Sequence, residues 1–146
     1  MNRPFSEYII QYLVDDGVLQ WAPDGPADWL AIVGIMPEND DNQDNFVSVL
    51  DTSPALDGVN LATGHSIQHP TFQIFVRSAD YSAGLKKGKE TEASLTFANM
   101  SSVTVESDEA IIQAVQVKTG TAFLKQLEKN ERQVFVLNVQ ATMWEV

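Results

Sequence analysis

His69-Pro70-Thr71-Phe72-Gln73-Ile74-Phe75-Val76-Arg77-Ser78-Ala79-Asp80-Tyr81 is the stretch whose reading decides the fold. Pro70 ends whatever precedes it. From Thr71 to Arg77, polar or mixed positions (Thr71, Gln73, Phe75, Arg77) alternate with apolar ones (Phe72, Ile74, Val76). A period of two is expected of a strand with one face in a core. Ser78 and Asp80 then offer side-chain oxygens to the free N–H groups of a helix starting near Tyr81. A strand that turns straight into a helix fixes the helix's direction across the sheet, so this junction sets the architecture.

Downstream, helical spacing continues to about Asn99. Tyr81, Gly84, Leu85, Gly88, Thr91 or Glu92, Leu95 and Ala98 form the inward stripe, and Lys86, Lys87, Lys89 and Glu90 hold the outer face. Two glycines on that stripe each cost about 1 kcal/mol of helix propensity. Close approach to a sheet or a neighbouring subunit would explain them; so would simple tolerance in a mediocre helix. Ser102 to Glu106 reads as a short strand or as the end of the helix connection, with a turn at Ser107-Asp108-Glu109. Ala110 to Lys118 is a strand, Thr119-Gly120-Thr121 a break, and Ala122 to Leu127 a further segment. After the charged tip Glu128-Lys129-Asn130-Glu131-Arg132 comes a strand from Gln133 to Met143. In it Phe135, Leu137, Val139, Ala141 and Met143 share one face. Adjacent strands joined by polar turns predict an antiparallel meander.

Upstream, residues 4 to 16 read as a helix. Pro4 lies in its first turn, Phe5, Ile9, Ile10, Leu13 and Val14 form an apolar stripe, and Gly17 stops it. Val18 to Pro26 is rich in turn formers and reads as a surface connection. The apolar run Trp29 to Met36 predicts a central strand covered on both faces, and Phe46 to Asp51 predicts another. Between them Pro37 to Asn45 is too polar for a core and is expected to be an exposed hairpin loop. Thr52 to Pro70 lacks periodicity and is expected to be a long loop. The resulting expectation is one α+β domain over residues 1–146, with a mostly antiparallel mixed sheet. Two main helices, about 4–16 and 80–99, pack on it, with long acidic loops.

Composition bounds the function. The 146 residues suit one core, no apolar run is long enough to cross a bilayer, and the absence of cysteine excludes disulfides and thiolate chemistry. A formal charge of -11 repels phosphate backbones, so a gripping nucleic-acid binder is not expected; acidity of this kind also serves solubility alone. The N-terminus, with one basic residue followed by an acid-bearing helix, does not read as a signal peptide.

No nucleophile elbow, P-loop, dinucleotide fingerprint or H-E-x-x-H is present. Asp40, Asp41 and Asp44 lack the EF-hand register of alternating acids, central Gly and closing Glu. His65 and His69 have the spacing of two zinc ligands on a helix, but Gly64 and Pro70 flank a non-helical segment, so surface histidines are expected. No catalytic residue, cofactor or metal site is assigned, and the chain is not expected to be an enzyme. A metal-dependent hydrolase using His65, His69 and Asp51 is the competing reading from another class.

In the order helix, strand-Pro-acidic loop-strand, Pro-led strand, helix, antiparallel meander, the sequence resembles the tail terminator (tail completion) and related minor capsid proteins of long-tailed bacteriophages. The resemblance rests on Ile10 to Gly17, Ile32 to Pro37 with Asp44 to Thr52, Gln73 to Tyr81, and Glu128 to Asn138. Ser53-Pro54 stands where the family has a glycine, and Glu128 and Asn130 replace an Asp-Gly pair. What the resemblance implies is a virion protein of the tube-to-head junction, assembled in the host cytoplasm. It would form a ring, usually hexameric, on the last tail-tube ring, stop polymerisation and face the head connector. A neck or head-closure protein of the same virion is the alternative. DNA would pass through the channel without specific binding, and no membrane partner is expected. The expected docking surfaces are the charged loops at strand ends: Glu38, Asp40, Asp41 and Asp44, and Lys125, Glu128, Lys129, Glu131 and Arg132.

Overall fold

The computed structural model describes residues 3–21, 29–34, 45–52, 55–59, 66–126 and 132–146, with backbone only for 55–59 and 66. Its elements run α1 (Phe5–Asp15), β1 (Gln20–Trp21), β2 (Leu30–Val33), β3 (Phe46–Asp51), β4 (Ala55–Val59), β5 (Ser66–His69), β6 (Thr71–Ser78), α2 (Tyr81–Thr96), β7 (Ser101–Val105), β8 (Asp108–Gln126) and β9 (Gln133–Glu145). The fold is α+β, two helices on one mixed sheet.

The opening stretch follows its pattern except at the end: Arg77, read as an outward position, is 1% exposed with its guanidinium 5.4 Å from the Phe46 ring centre, and the Ser78 hydroxyl accepts from the Asp80 N–H and not from the helix. In β6 the side chains of Phe72, Ile74 and Val76 are buried, and Asp80 caps α2 by accepting from the Ala83 N–H at 3.3 Å. The strand lies at the middle of the sheet. β3 pairs antiparallel on one side, Val47 opposite Val76 and Val49 opposite Ile74; β9 pairs on the other, Phe135 opposite Val76 and Leu137 opposite Ile74. Pro70 separates β5 from β6, yet both border the same edge of β9: Gln68 faces Met143 and Thr71 faces Gln140. The ladder is interrupted at Pro70 because proline has no N–H to donate, although its carbonyl still accepts from the Ala141 N–H at 2.9 Å.

Every second residue of β9 from Phe135 to Met143 is at most 1% exposed. With Ile112, Val103, Val47, Val49 and the β6 residues they form the core face, against which Tyr8, Ile9, Ile10 and Leu13 of α1 and Leu95 of α2 pack. At roughly 25 cal/mol per Å² of apolar area, this shared face is the main source of stability. Gly17 stops α1 with φ +79°, the left-handed cap that glycine adopts without a Cβ penalty.

Several expectations are corrected. β2 and β3 are parallel, Leu30 beside Phe46, so the acidic connection between them is a crossover and not a hairpin. Parallel strands require the chain to return to the same end, and a connection of about a dozen residues is long enough to do so. β2 is not central: only β1 lies outside it, although Leu30 and Ala31, on its opposite faces, are both buried. The span from Thr52 to Pro70 contains an antiparallel pair, β4 and β5, whose register shift between Leu56 and Gly58 hides the period of two. Val18 and Leu19, expected on the surface, are 6% and 3% exposed and lead into β1, parallel to β2. α2 ends at Thr96 and not near Asn99.

The largest correction concerns β8. Strand, break and further segment are one 19-residue strand paired with β9 along its length. The Thr119-Gly120-Thr121 break is a bulge: β9 advances from Asn138 to Val136 while β8 advances from Thr119 to Ala122. An extra residue in a strand interrupts alternation without ending the pairing.

Candidate functional site

Two clamps orient α2 over the β8–β9 hairpin. At Gly84 an added Cβ would lie 2.5 Å from Cε1 of Phe135, and at Gly88 it would collide with the Thr121 side chain. The two glycines are therefore the close approach of helix to sheet. One turn further, Glu92 accepts a hydrogen bond from the Thr121 backbone N–H, inside the bulge. Partial burial works to raise the Glu92 pKa, but hydrogen bonding from Thr121 and the nearby Lys89 ammonium outweigh it and hold the carboxyl below its ordinary value.

Beyond the clamps the hairpin carries an aromatic triad. Tyr81, at the start of α2, meets Phe135 edge-on at 5.0 Å and Phe123 at 5.4 Å, with Phe123 and Phe135 5.7 Å apart. Phe135 is buried, while Tyr81, Phe123 and Leu124 are 48%, 45% and 48% exposed. β7 covers the outer edge of β8 only as far as Ile112, opposite Ser101. From Ala114 to Gln126 no strand among the described residues pairs with that edge.

Charge is distributed unevenly around this arm. None of the chain's 20 Asp and Glu residues falls in 66–79, 110–126 or 132–144, the stretches that build the sheet's middle and its long hairpin. Described carboxylates lie elsewhere, several in fixed roles. Arg3 pairs with Glu7, with Glu106 at 2.8 Å and with Asp108 at 3.0 Å, which holds its guanidinium pKa above the ordinary value. Glu145 accepts from the Tyr8 hydroxyl at 2.9 Å, and burial, then this bond, push the phenol pKa up.

The sequence-predicted site residues divide. Glu38, Asp40, Asp41, Asp44, Glu128, Lys129 and Glu131 lie outside the described residues. Lys125 is exposed near the end of β8, opposite Val134. Arg132, expected in an exposed tip, is 3% exposed where the chain enters β9, so its guanidinium belongs to the interior of the chain. Of the metal-hydrolase trio, Asp51 accepts from the Ser6 N–H at 3.1 Å and from its hydroxyl, and His69 Nδ1 lies 3.0 Å from the Thr142 hydroxyl. His65 lies outside the described residues. Among the described residues no three His, Asp or Glu converge as metal ligands, and no helix is long and apolar enough to cross a membrane. A depression of about 390 Å³ beside Trp29 contains one cation, Lys87, which donates to the Val18 carbonyl at 3.1 Å and pairs with Glu90 at 3.1 Å.

What sequence reading missed is the exposed arm itself. Its signal was present: seventeen residues, 110–126, with two lysines and no acid in a chain of charge -11.

Fold and surface together define a class: a helix-backed mixed sheet with a long strand edge that no described strand covers. The chain belongs to the bacteriophage tail terminator protein family, whose model matches residues 12–143. It is thus a structural protein of a phage-type tail and a component of the particle. No curated protein matches it. Among solved structures, a chain of one titled "Virion of native gene transfer agent (GTA) particle" aligns over 95% of this chain and 93% of its own, at 14% identity and a TM-score of 0.45.

Proposed function

We propose that the protein caps the tail tube: copies assemble as a ring, hexameric in the form the family suggests, on the last tube ring, stop its growth and present the opposite face to the head connector. The family match over residues 12–143 carries this reading. A polypeptide that works by shape is consistent with the uses found for its described polar groups. Asp51, Glu92 and Glu145 hold secondary structure together. In this reading the protein transforms no substrate, and DNA crosses the ring without being gripped because the net charge of -11 repels phosphate.

Electron microscopy of the purified protein mixed with cognate tail tubes tests the proposal. The expected image is a ring of extra density at one end of each tube, with six-fold symmetry. Binding to isolated head connectors with bare tube ends would favour a neck or head-closure role instead, and decoration along tube walls would contradict both.

A further inference from the structure

We propose that the outer edge of β8 between Ala114 and Gln126, with Leu124 and Phe123 at its end, is where one copy of this chain seats on the next. The inference rests on the ring reading above and names the surface that makes it. Three observations converge on it.

First, among the described residues the edge is long and open. Long unpaired edges are ready templates for a further strand, and folded proteins usually blunt them by shortening, covering or charging them. In β8 the described cover stops at Met100, whose N–H bonds the Gln113 carbonyl at 3.0 Å. Beyond it the edge is bulged against β9 at Val117/Thr119, Thr119/Ala122 and Phe123/Lys125 and carries Lys118 and Lys125, which limit indiscriminate pairing but leave the backbone uncovered by any described strand.

Second, the arm exposes consecutive large apolar side chains. Leu124 is half-exposed next to Phe123, and Phe123 completes an aromatic triad only on the side of Tyr81 and Phe135. An exposed apolar pair beside an open strand edge is the arrangement strand addition uses: backbone bonds supply affinity, and flanking side chains fix the register.

Third, charge selects the occupant. Copies of a chain carrying -11 repel one another through most of their surface, and like charges placed opposite across an interface oppose association. Between Ala114 and Gln126 the strand itself has no carboxylate and two ammonium groups, and the described acid beside it, Glu92, is bonded to the Thr121 N–H and paired with Lys89 at 3.7 Å, so this edge repels a neighbour's acidic surface least. Two lysines on an acidic chain are too few to hold a nucleic acid. A ring further requires that this edge meet a different surface of the neighbour, since self-complementary edge pairing closes as a dimer.

The cysteine-free sequence permits a direct test. Leu124→Cys, labelled at its single thiol with maleimide-benzophenone and irradiated on cognate tail tubes, is expected to cross-link to a second copy of the same chain. A product containing the tube subunit, or none while rings form, would overturn the assignment. In parallel, Leu124→Glu should lower ring occupancy on tubes on the order of tenfold. Leu124→Met should retain it, and both variants should melt with the native chain. Equal ring formation by Leu124→Glu and native protein would also overturn the assignment, whereas no rings from the native protein would instead defeat the ring reading on which it rests.

Discussion

At the residue scale, two glycines and one glutamate decide how α2 lies on the sheet. Alanine normally gains about 1 kcal/mol over glycine in a helix. At Gly84 the added carbon meets the edge of Phe135, which is buried and held by its neighbours, and overpacking of that kind typically costs 1–3 kcal/mol, at the order-of-magnitude level. Gly84→Ala should therefore lower stability in urea titrations; a more stable variant would show that the helix can lift without loss. Glu92 gives a pH signature. Its folded pKa lies below the unfolded one, so its contribution is complete above the unfolded pKa and is lost as pH falls through the folded value. Thermal melts should show native protein losing stability across that acid window, with Glu92→Gln already weakened above it and less dependent on pH within it. Helical spacing put both glycines on the inward stripe, but what they touch was not legible in the sequence. Phe135 and Thr121 lie far along the chain, and only the register of β8 with β9 brings them together.

At the element scale, α1 shows a helix start supplied from elsewhere. Pro4 stands at its N-cap and has no side-chain acceptor, and the free N–H of Ser6 is satisfied by Asp51 from the end of β3. Removing an N-cap acceptor costs about 0.5–2 kcal/mol. Asp51→Ala should fall within that range in urea titrations, and an unchanged midpoint would mean that water replaces the bond at no cost. A local reading finds Pro4 and the apolar stripe but cannot find a partner 45 residues away. The same limit explains β8. β9 was readable because one face is wholly buried, whereas most of β8 beyond Val115 is exposed, so no burial pattern marks the strand's continuation past its bulge. Phe135→Ala removes the residue shared by the triad and the Gly84 contact, and should cost about 3–5 kcal/mol on thermal or urea unfolding.

At the scale of the whole molecule, a chain of charge -11 has three stretches free of carboxylates, 66–79, 110–126 and 132–144, which supply most of β5, β6, β8 and β9. Assembly of such a chain should strengthen with ionic strength, because salt screens the repulsion between copies of charge -11 more than the attraction of two lysines for a neighbour's acids, and leaves apolar and backbone contacts intact. Sedimentation or light scattering at low and moderate salt measures this, and weaker assembly with added salt would mean that ion pairs dominate the contact. The architecture was legible in outline because helices and the buried strands carry strong periodicity. The parallel β2–β3 pairing was not, since a polar connection looks the same whether it turns back or crosses over. The expected docking loops were chosen for charge, while the described surface points to a neutral-to-basic edge that charge counting passes over.

The central claim is that this chain ends tube growth. The most direct measurement follows tail-tube subunits polymerising with and without the protein, with tube lengths scored by electron microscopy. The account predicts that the protein arrests elongation at substoichiometric amounts, leaving short tubes capped at one end; tubes that lengthen at the same rate to the same final length would contradict it.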